Sequence, residues 1–316
     1  DFVDPRYGYV IDSDDTYENR VFYGLVGADL ALLDGAWTHS FTLQGVDSTR
    51  ETFSGGAQDY SYEGSRVKAS YVTAYAFGTE ALKHTITGAV DWKRETFRKT
   101  TPYYSGDVVE KRALDNTGFV ASYELLAGDS FGLGASVRYD ENDLFDNATT
   151  WRVQTSYAFD GGTRLHAAAG SGIKAPGVFE LWGFFPSFFE PNANLKAERS
   201  EGWEAGVEQS FLDGRARIDV TYFDNTLKDE IATIGFAPAT PVNLATDSTQ
   251  KGVEVSAQAL IDANWRVFLT YTWLDAKQSG VEEIRRPEHS GSLNLSYLAD
   301  DDLWSATLNV RYNGEM

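Results

Sequence analysis

Trp265-Arg-Val-Phe-Leu-Thr-Tyr-Thr-Trp273 has an apolar residue at every second position. Successive side chains of a β-strand point to opposite faces, so this period predicts a strand with one apolar and one polar face. Aromatic residues stand at the ends of the apolar face and aliphatic residues in its middle, which is typical of a lipid-facing band between two interfacial girdles. The pattern recurs in Trp203–Phe211, Val253–Ala259 and Trp304–Tyr312.

The connections between such stretches alternate between short and long. Short turns rich in Asp, Asn and Gly suit tight hairpins, and short turns on one side with long loops on the other are typical of an outer-membrane barrel. Counting the runs between turns predicts about fourteen antiparallel strands, many longer than the roughly 9–11 residues of a tilted transmembrane strand. The short turns are Asp34-Gly35, Gly78-Thr79-Glu80, Gly128-Asp129-Ser130, Asp160-Gly161-Gly162, Asp213-Gly214, Asp262-Ala263-Asn264 and Asp300-Asp301-Asp302, and the longer connections lie near 53–60, 98–110, 144–148, 175–198, 228–244 and 278–287.

Composition excludes several other classes of protein. The formal net charge of -20 argues against nucleic acid as a partner, because binding phosphates requires a basic surface. The same charge can attract divalent cations that lie between anionic lipid headgroups, or can mainly keep the chain soluble. Outer-membrane lipid or lipopolysaccharide is an expected partner. The absence of cysteine excludes a disulfide scaffold and any thiol-based metal site or nucleophile.

The longest loop and its flanks carry the most specific motifs. Gly170-Ser-Gly-Ile-Lys-Ala-Pro176 ends one predicted strand, and Ser200-Glu-Gly-Trp-Glu-Ala-Gly206 opens the next. Between them lie Phe179-Glu-Leu-Trp-Gly183 and Pro191-Asn-Ala-Asn-Leu-Lys-Ala-Glu198. Together the motifs resemble the barrel signature of TonB-dependent receptors, and their order and spacing are most similar to cobalamin receptors. Further matches are Gly88-Ala-Val-Asp-Trp92, Ser136-Val-Arg-Tyr-Asp140, Asn225 and Lys251-Gly-Val-Glu254.

The resemblance implies an all-β, transmembrane, antiparallel up-and-down β-barrel of about 22 strands, filled by an N-terminal plug with a TonB-box peptide. We expect residues 1–316 to be part of that one barrel domain, with the plug and about eight terminal strands outside this chain. An open sheet would expose unpaired backbone groups to lipid. The chain is therefore either part of a larger barrel, which the internal position of the signature favours, or a smaller barrel closed on itself.

The function that the resemblance implies is active transport across the Gram-negative outer membrane, with TonB as the energy-coupling partner. The expected ligand is a small-molecule metal chelate, with cobalamin first and a ferric siderophore second; other nutrients such as glycans stay open. We expect no enzymatic activity. The alternatives are a passive porin-like channel for small solutes and, third, a barrel hydrolase, although no serine lies in a nucleophile motif.

Two groups of loop residues are candidate site residues. Aromatic rings can grip a bulky ligand by stacking, at about 0.5–1.5 kcal/mol per pair beyond burial, or can pack the loops onto the barrel rim. Carboxylates can bind calcium, which in cobalamin receptors orders the ligand site, or can be solvated loop acids. No covalent cofactor is expected. The aromatic candidates are Tyr103, Tyr104, Trp182, Phe184, Phe185, Phe188 and Phe189, and the calcium candidates are Asp12, Asp14 and Asp15.

Overall fold

The computed structural model describes residues 2–3, 10–11, 14–101, 107–183, 187–300 and 303–315. Most of these residues lie in β-strands. A 3-10 turn spans Leu33–Gly35, and one short helix, α1, spans Val178–Trp182. The strands are β1 (Phe2–Val3), β2 (Val10–Ile11), β3 (Thr16–Leu32), β4 (Trp37–Ser54), β5 (Ala57–Thr79), β6 (Leu82–Thr101), β7 (Asp107–Ala127), β8 (Phe131–Asn142), β9 (Ala148–Ala158), β10 (Thr163–Lys174), β11 (Glu198–Phe211), β12 (Ala216–Lys228), β13 (Ile231–Ile234), β14 (Thr240–Asn243), β15 (Ser248–Leu260), β16 (Trp265–Gln278), β17 (Val281–Glu282), β18 (His289–Leu298) and β19 (Ser305–Asn313).

The long strands form one antiparallel up-and-down sheet. Its order is β19-β18-β16-β15-β12-β11-β10-β9-β8-β7-β6-β5-β4-β3, with the short β17 added to β16. The predicted all-β fold and the predicted number of about fourteen strands are therefore confirmed. Within the described residues, β3 and β19 each have one neighbour in this sheet, and no helix is long and apolar enough to cross a membrane.

The prediction of a long loop near residues 53–60 is wrong. Residues 53–60 contain only a two-residue turn at Gly55 and Gly56, whose φ angles are 59° and 80°. Strands β4 and β5 continue on either side of it, and β5 is 23 residues long. At about 3.3 Å per residue and a tilt of about 45°, such a strand rises about 54 Å, roughly twice the apolar band of an outer-membrane barrel. Polar and aromatic residues in this stretch thus belong to strands that project beyond the membrane.

The face of the sheet that carries the charged residues is concave. Phe179, which follows β10, lies with its ring centroid 6.3 Å from that of Tyr62 on β5. Strands β6 to β9 lie between β5 and β10 in the sheet, and neighbouring strands are about 4.8 Å apart, so a flat sheet would separate these rings by more than about 20 Å. The sheet therefore curves around this face, which is the interior, and the aromatic-edged apolar face points outward.

Interior side chains reach across a whole strand where that strand has a glycine. His166 on β10 shares a hydrogen bond with Asp219 on β12 over a distance of 2.9 Å, passing over Gly206 of β11. A Cβ added at Gly206 would lie 2.5 Å from the His166 ring and 2.5 Å from Thr221 Oγ1. Arg138 on β8 likewise passes over Gly118 of β7 to reach Asp91 on β6 at 2.8 Å. Because glycine has no side chain, one side-chain pair can pass over the middle strand and link the two strands on either side of it.

Replacement of Gly206 by alanine is expected to lower the free energy of unfolding by about 1–2 kcal/mol, because the overlap is with movable side-chain ends that give way. The loss should appear as a lower midpoint of urea unfolding of the folded barrel. In a His166→Ala background the same substitution should cost less, because the ring that it displaces is gone. An equal loss in both backgrounds would contradict this explanation.

Candidate functional site

The helix α1 begins the loop that follows β10. The backbone N–H of Gly177 donates to Glu180 Oε2 at 2.5 Å, which caps the first turn. The helix ends at Gly183, whose N–H donates to the Phe179 carbonyl at 2.7 Å and where a side chain would overlap the Phe179 ring. Leu181 is buried at 1 % exposure, so this short helix is packed against the rest of the protein.

Hydrogen bonds join the α1 loop (175–197) to the loop between β12 and β15 (229–247). Asn192 Nδ2 donates to the Pro241 carbonyl at 3.0 Å. Asn243 and Lys196 bond reciprocally: the Lys196 N–H donates to Asn243 Oδ1 at 2.8 Å and Asn243 Nδ2 donates to the Lys196 carbonyl at 3.0 Å. The N–H of Ala239 donates to the Phe188 carbonyl at 2.8 Å. The two loops therefore form one layer, which we call the loop layer.

Glu198 anchors this layer to the sheet. Its side chain is nearly buried, at 6 % exposure, and Oε1 accepts from Lys174 Nζ at 3.1 Å and from the Ile231 N–H at 2.9 Å. One carboxylate thus links the ends of β10 and β11 to the start of β13. Leu195 of the same motif is also buried, at 4 % exposure. The signature residues from 191 to 198 consequently position loops.

Five aromatic rings meet where the loop layer enters the mouth of the concave face, and we call them the mouth cluster: Tyr60, Tyr62, Phe97, Phe179 and Phe189. Centroid distances are 5.3 Å between Tyr60 and Tyr62, 6.2 Å between Tyr62 and Phe97, and 4.7 Å between Phe179 and Phe189. Contacts of this length stabilise aromatic pairs and leave large planar surfaces in one place.

Lys99 lies beneath the mouth cluster, on the part of β6 that projects beyond the membrane. Its Nζ is 5.4 Å from the centroid of Tyr62 and 5.9 Å from that of Tyr60, which is cation–π geometry, and the residue is 1 % exposed. Burial lowers the pKa of the Lys99 ammonium, and the charge of Asp59 opposes that shift. Burial also raises the pKa of the Tyr62 hydroxyl. The mouth thus combines aromatic surface with a buried cation.

The aromatic candidates from the sequence are placed as follows. Phe189 belongs to the mouth cluster, Phe188 is 57 % exposed, and Trp182 is partly buried at the end of α1. Tyr103, Tyr104, Phe184 and Phe185 lie outside the described residues. Sequence reasoning missed the other cluster members as candidates. An available signal was the pair Tyr60 and Tyr62, aromatic residues on the interior face of β5.

The calcium candidates do not form a described cluster. Asp14 and Asp15 are exposed before β3, and Asp12 lies outside the described residues. In the part of the chain that the structure describes, no group of three or more His, Asp or Glu side chains is placed to hold a metal ion. The predicted calcium site therefore stays a prediction.

The interior wall is lined by ion pairs. Arg138 bonds Asp140 at 2.6 Å in addition to Asp91, and Arg164 and Arg217 lie 3.2 and 3.4 Å from Glu208. These pairs agree with the expected polar interior. Arg215 does not belong to this wall, because it lies in the turn before β12, where its Nε donates to the Leu212 carbonyl at 3.3 Å. A hollow of about 390 Å³ opens on this wall and is lined by Glu124, Arg152, Arg164, His166 and Glu204, among others.

A curved antiparallel sheet with an aromatic-edged apolar exterior, a charged interior and loops over one end has the features of a transmembrane β-barrel wall. Residues 2–316 match the family described as TonB dependent receptor-like, beta-barrel, and the chain belongs to that family. The resemblance noted in the sequence is therefore confirmed.

Three comparisons place the chain among proteins of this kind. It is 27 % identical over 236 residues to the vitamin B12 transporter BtuB of Photobacterium profundum, covering 72 % of this chain and 36 % of that protein. The Serratia marcescens hemophore receptor HasR, solved with its hemophore HasA and heme, superposes with a TM-score of 0.78 at 15 % identity, over 95 % of this chain and 59 % of that one. The Pseudomonas aeruginosa ferric enterobactin receptor PfeA, solved with enterobactin, gives 0.76 at 15 % identity, over 94 % and 50 %.

The solved structures share the fold with this chain at identities too low to carry their ligands over. The chain spans 36 % of the length of the vitamin B12 transporter named above, and 59 % and 50 % of the lengths of the two solved receptors.

Proposed function

We propose that this chain is the barrel wall and ligand-facing mouth of an outer-membrane receptor that imports a metal-bearing small molecule with energy from TonB. Membership of the receptor family supports the class of function. The observation that carries the proposal is the mouth cluster, which the loop layer holds at one end of the concave wall. Planar apolar rings with a buried cation suit a bulky ligand that has conjugated or aromatic parts.

The proposed ligand is cobalamin first and a ferric siderophore second. The similarity to a vitamin B12 transporter supports cobalamin, and membership of the TonB-dependent receptor family leaves a siderophore as the second proposed ligand. We infer that the wall performs no covalent chemistry. His166 is paired with Asp219, and the Thr221 hydroxyl donates to the same carboxylate at 2.8 Å, so this trio lacks a hydroxyl aimed at the imidazole.

The remaining partners follow from the same proposal. TonB is expected to act through a plug and TonB box outside residues 1–316, and the sheet is expected to lie in the outer membrane of a Gram-negative cell. Calcium at Asp12, Asp14 and Asp15 is proposed as a loop-ordering ion. These proposals make uptake, rather than passive conductance, the activity to be measured.

The test measures binding and uptake by the full-length protein. We expect saturable binding of cyanocobalamin or ferric enterobactin, and uptake into cells that is lost when TonB is deleted. Replacement of Phe179 by alanine should weaken binding about tenfold, or about 1.4 kcal/mol. The substitution removes one ring of the cluster together with the contacts by which that ring holds Tyr62 and Phe189 in place. Phe236→Ala is the matched control, because Phe236 is 88 % exposed at the tip of the β13–β14 hairpin.

Steady single-channel conductance without saturable uptake would favour the porin-like alternative and contradict the proposal. Equal losses of binding in Phe179→Ala and Phe236→Ala would show that the ligand does not bind specifically at the mouth cluster.

A further inference from the structure

Two cations flank one tyrosine of the mouth cluster on the interior face of three neighbouring strands. Tyr62 on β5 has Arg50 of β4 as its register partner on one side and Lys99 of β6 on the other. We call these three residues the cation–tyrosine row. Lys99 lies about 17 residues above the foot of β6, a height of about 40 Å at about 3.3 Å per residue and a tilt of about 45°. The row therefore lies beyond an apolar band about 25 Å tall.

Arg50 is the exposed cation of the row. Its guanidinium carbon lies 4.9 Å from the ring centroid of Tyr17 on β3, and it forms no ion pair with any side chain that the structure describes. The neighbouring Glu51 points to the opposite face of the sheet, where it bonds Arg20 at 2.9 Å. The positive charge of Arg50 is thus open to the interior.

Lys99 is the buried cation of the row. Its Nζ lies 5.4 Å from the ring centroid of Tyr62 and 5.9 Å from that of Tyr60. The register of β4 and β5 passes over Asp59, which is therefore a β-bulge residue next to Tyr60. Burial lowers the pKa of the Lys99 ammonium, and the charge of Asp59 raises it. The bulge thus supplies a carboxylate that helps to keep Lys99 charged.

Positive charge exceeds negative charge at this level of the interior face. The described interior positions of β4, β5 and β6 carry the two cations of the row against the one carboxylate of Asp59. Below the row, Glu95 on β6 is bound by both Arg66 and Lys93. In the loop layer, the Glu180 carboxylate is the cap of α1. The chain as a whole has a net charge of -20, so the sign is reversed locally.

A cation beside a tyrosine ring changes what the ring prefers as its next partner. The face of an aromatic ring is negative and attracts cations. A cation that already lies there offsets this negative charge, so an electron-rich or anionic group becomes a better partner for the rest of the ring. The field of the row also reaches the Tyr62 hydroxyl: burial and Tyr60 raise its pKa, and the charge of Arg50 opposes that shift. Tyr62 is partly exposed and can contact a ligand.

We propose that the cation–tyrosine row makes the mouth selective for a ligand with net negative charge. Tyr62 contacts the ligand, and Arg50 and Lys99 set the charge that is preferred there. This inference rests on the proposed transport function and deepens it by naming the charge class of the ligand. An anionic metal chelate with electron-rich rings gains both stacking and electrostatic attraction, whereas a neutral chelate gains stacking alone. The row therefore favours an anionic ferric siderophore over cyanocobalamin, which has no net charge.

The test measures equilibrium binding of three probes to the full-length protein in a non-ionic detergent. Ferric enterobactin is an anionic catecholate chelate, ferrichrome is a neutral hydroxamate chelate of the same metal, and cyanocobalamin is a neutral cobalt chelate. We expect ferric enterobactin to bind about tenfold more tightly than either neutral probe. Raising the salt concentration from about 0.05 M to about 0.5 M should weaken the binding of ferric enterobactin alone about fivefold, because screening acts on the charged ligand.

The variant Arg50→Gln/Lys99→Met removes both charges and keeps most of the side-chain volume. It should bind ferric enterobactin about tenfold more weakly and the neutral probes within about twofold of the wild type. Arg50→Lys keeps the charge and should retain most of the affinity for the anion. Arg98→Gln is the matched control, because Arg98 is next to Lys99 in sequence but on the outward face, where it pairs with Glu63 at 3.7 Å.

Two results would overturn this inference and leave the transport proposal standing. They are binding of a neutral probe as tight as that of ferric enterobactin, and an affinity for ferric enterobactin that is the same in the double variant as in the wild type or in Arg98→Gln. Heat modifiability on a gel reports folding, and if the double variant does not fold, Arg50→Gln alone should weaken anion binding about threefold. The absence of saturable binding of all three probes would overturn both proposals.

Discussion

Replacement of Gly252 by alanine is expected to lower the free energy of unfolding of the barrel by about 3 kcal/mol. Gly252 lies within the Lys251-Gly-Val-Glu254 motif on β15, and an added Cβ would overlap the Trp273 carbonyl oxygen of β16. The same Cβ would come 2.8 Å from Cζ of Phe223, whose ring crosses β15 at this point. A backbone carbonyl in the sheet ladder cannot move aside as a side-chain end can, so the cost exceeds that at Gly206.

The midpoint of urea unfolding in lipid vesicles, with heat modifiability as the measure of the folded fraction, checks this expectation. Gly88→Ala is the matched control, because Gly88 lies within β6 and the nearest neighbour of an added Cβ would be Thr73 Cγ2 at 3.9 Å. We expect the control to unfold within about 0.5 kcal/mol of the wild type. A similar loss in both variants would mean that strand glycines matter here through backbone entropy and not through close approach.

Replacement of Glu198 by alanine is expected to detach the loop layer from the sheet. The Ile231 N–H is partly buried and would lose its acceptor, which costs about 1 kcal/mol, the low end for a buried group. The Lys174 contact adds less, because the Lys174 side chain is 65 % exposed and its charge is screened. Amide exchange in β13 and β14 should accelerate about 10- to 100-fold, and ligand binding should weaken because the mouth cluster loses its support.

Hydrogen exchange of the full-length protein separates the two contacts of Glu198. Glu198→Gln keeps a side-chain oxygen for the Ile231 N–H and removes the charge opposite Lys174, so it should preserve most of the protection. Glu190→Ala is the control, because Glu190 is exposed in the same loop and its backbone N–H, which donates to the Ala239 carbonyl at 3.0 Å, is retained. Unchanged exchange in Glu198→Ala would show that the loop layer is held by its other hydrogen bonds alone.

The sequence by itself determined the strands, their two faces and the family. Alternation in stretches such as Trp265–Trp273 is a local property, because side-chain direction in a strand depends only on position along that strand. Turn chemistry is local too, which is why the short turns were predicted where the structure has them, as at Asp34-Gly35 and Asp213-Gly214. The signature around Pro191–Glu198 was likewise readable as a motif before its contacts were known.

Only the tertiary structure decided what those residues touch. The contact of Phe179 with Tyr62 depends on curvature summed over the strands between them, and no local pattern encodes that curvature. The reach of His166 across Gly206 depends on the register of β10 against β11, two strands that are joined by the long α1 loop. A short turn fixes the register of a hairpin locally, but no such turn joins these two strands. The local period therefore gave the wall and its faces, whereas the mouth cluster arises from how distant strands are aligned.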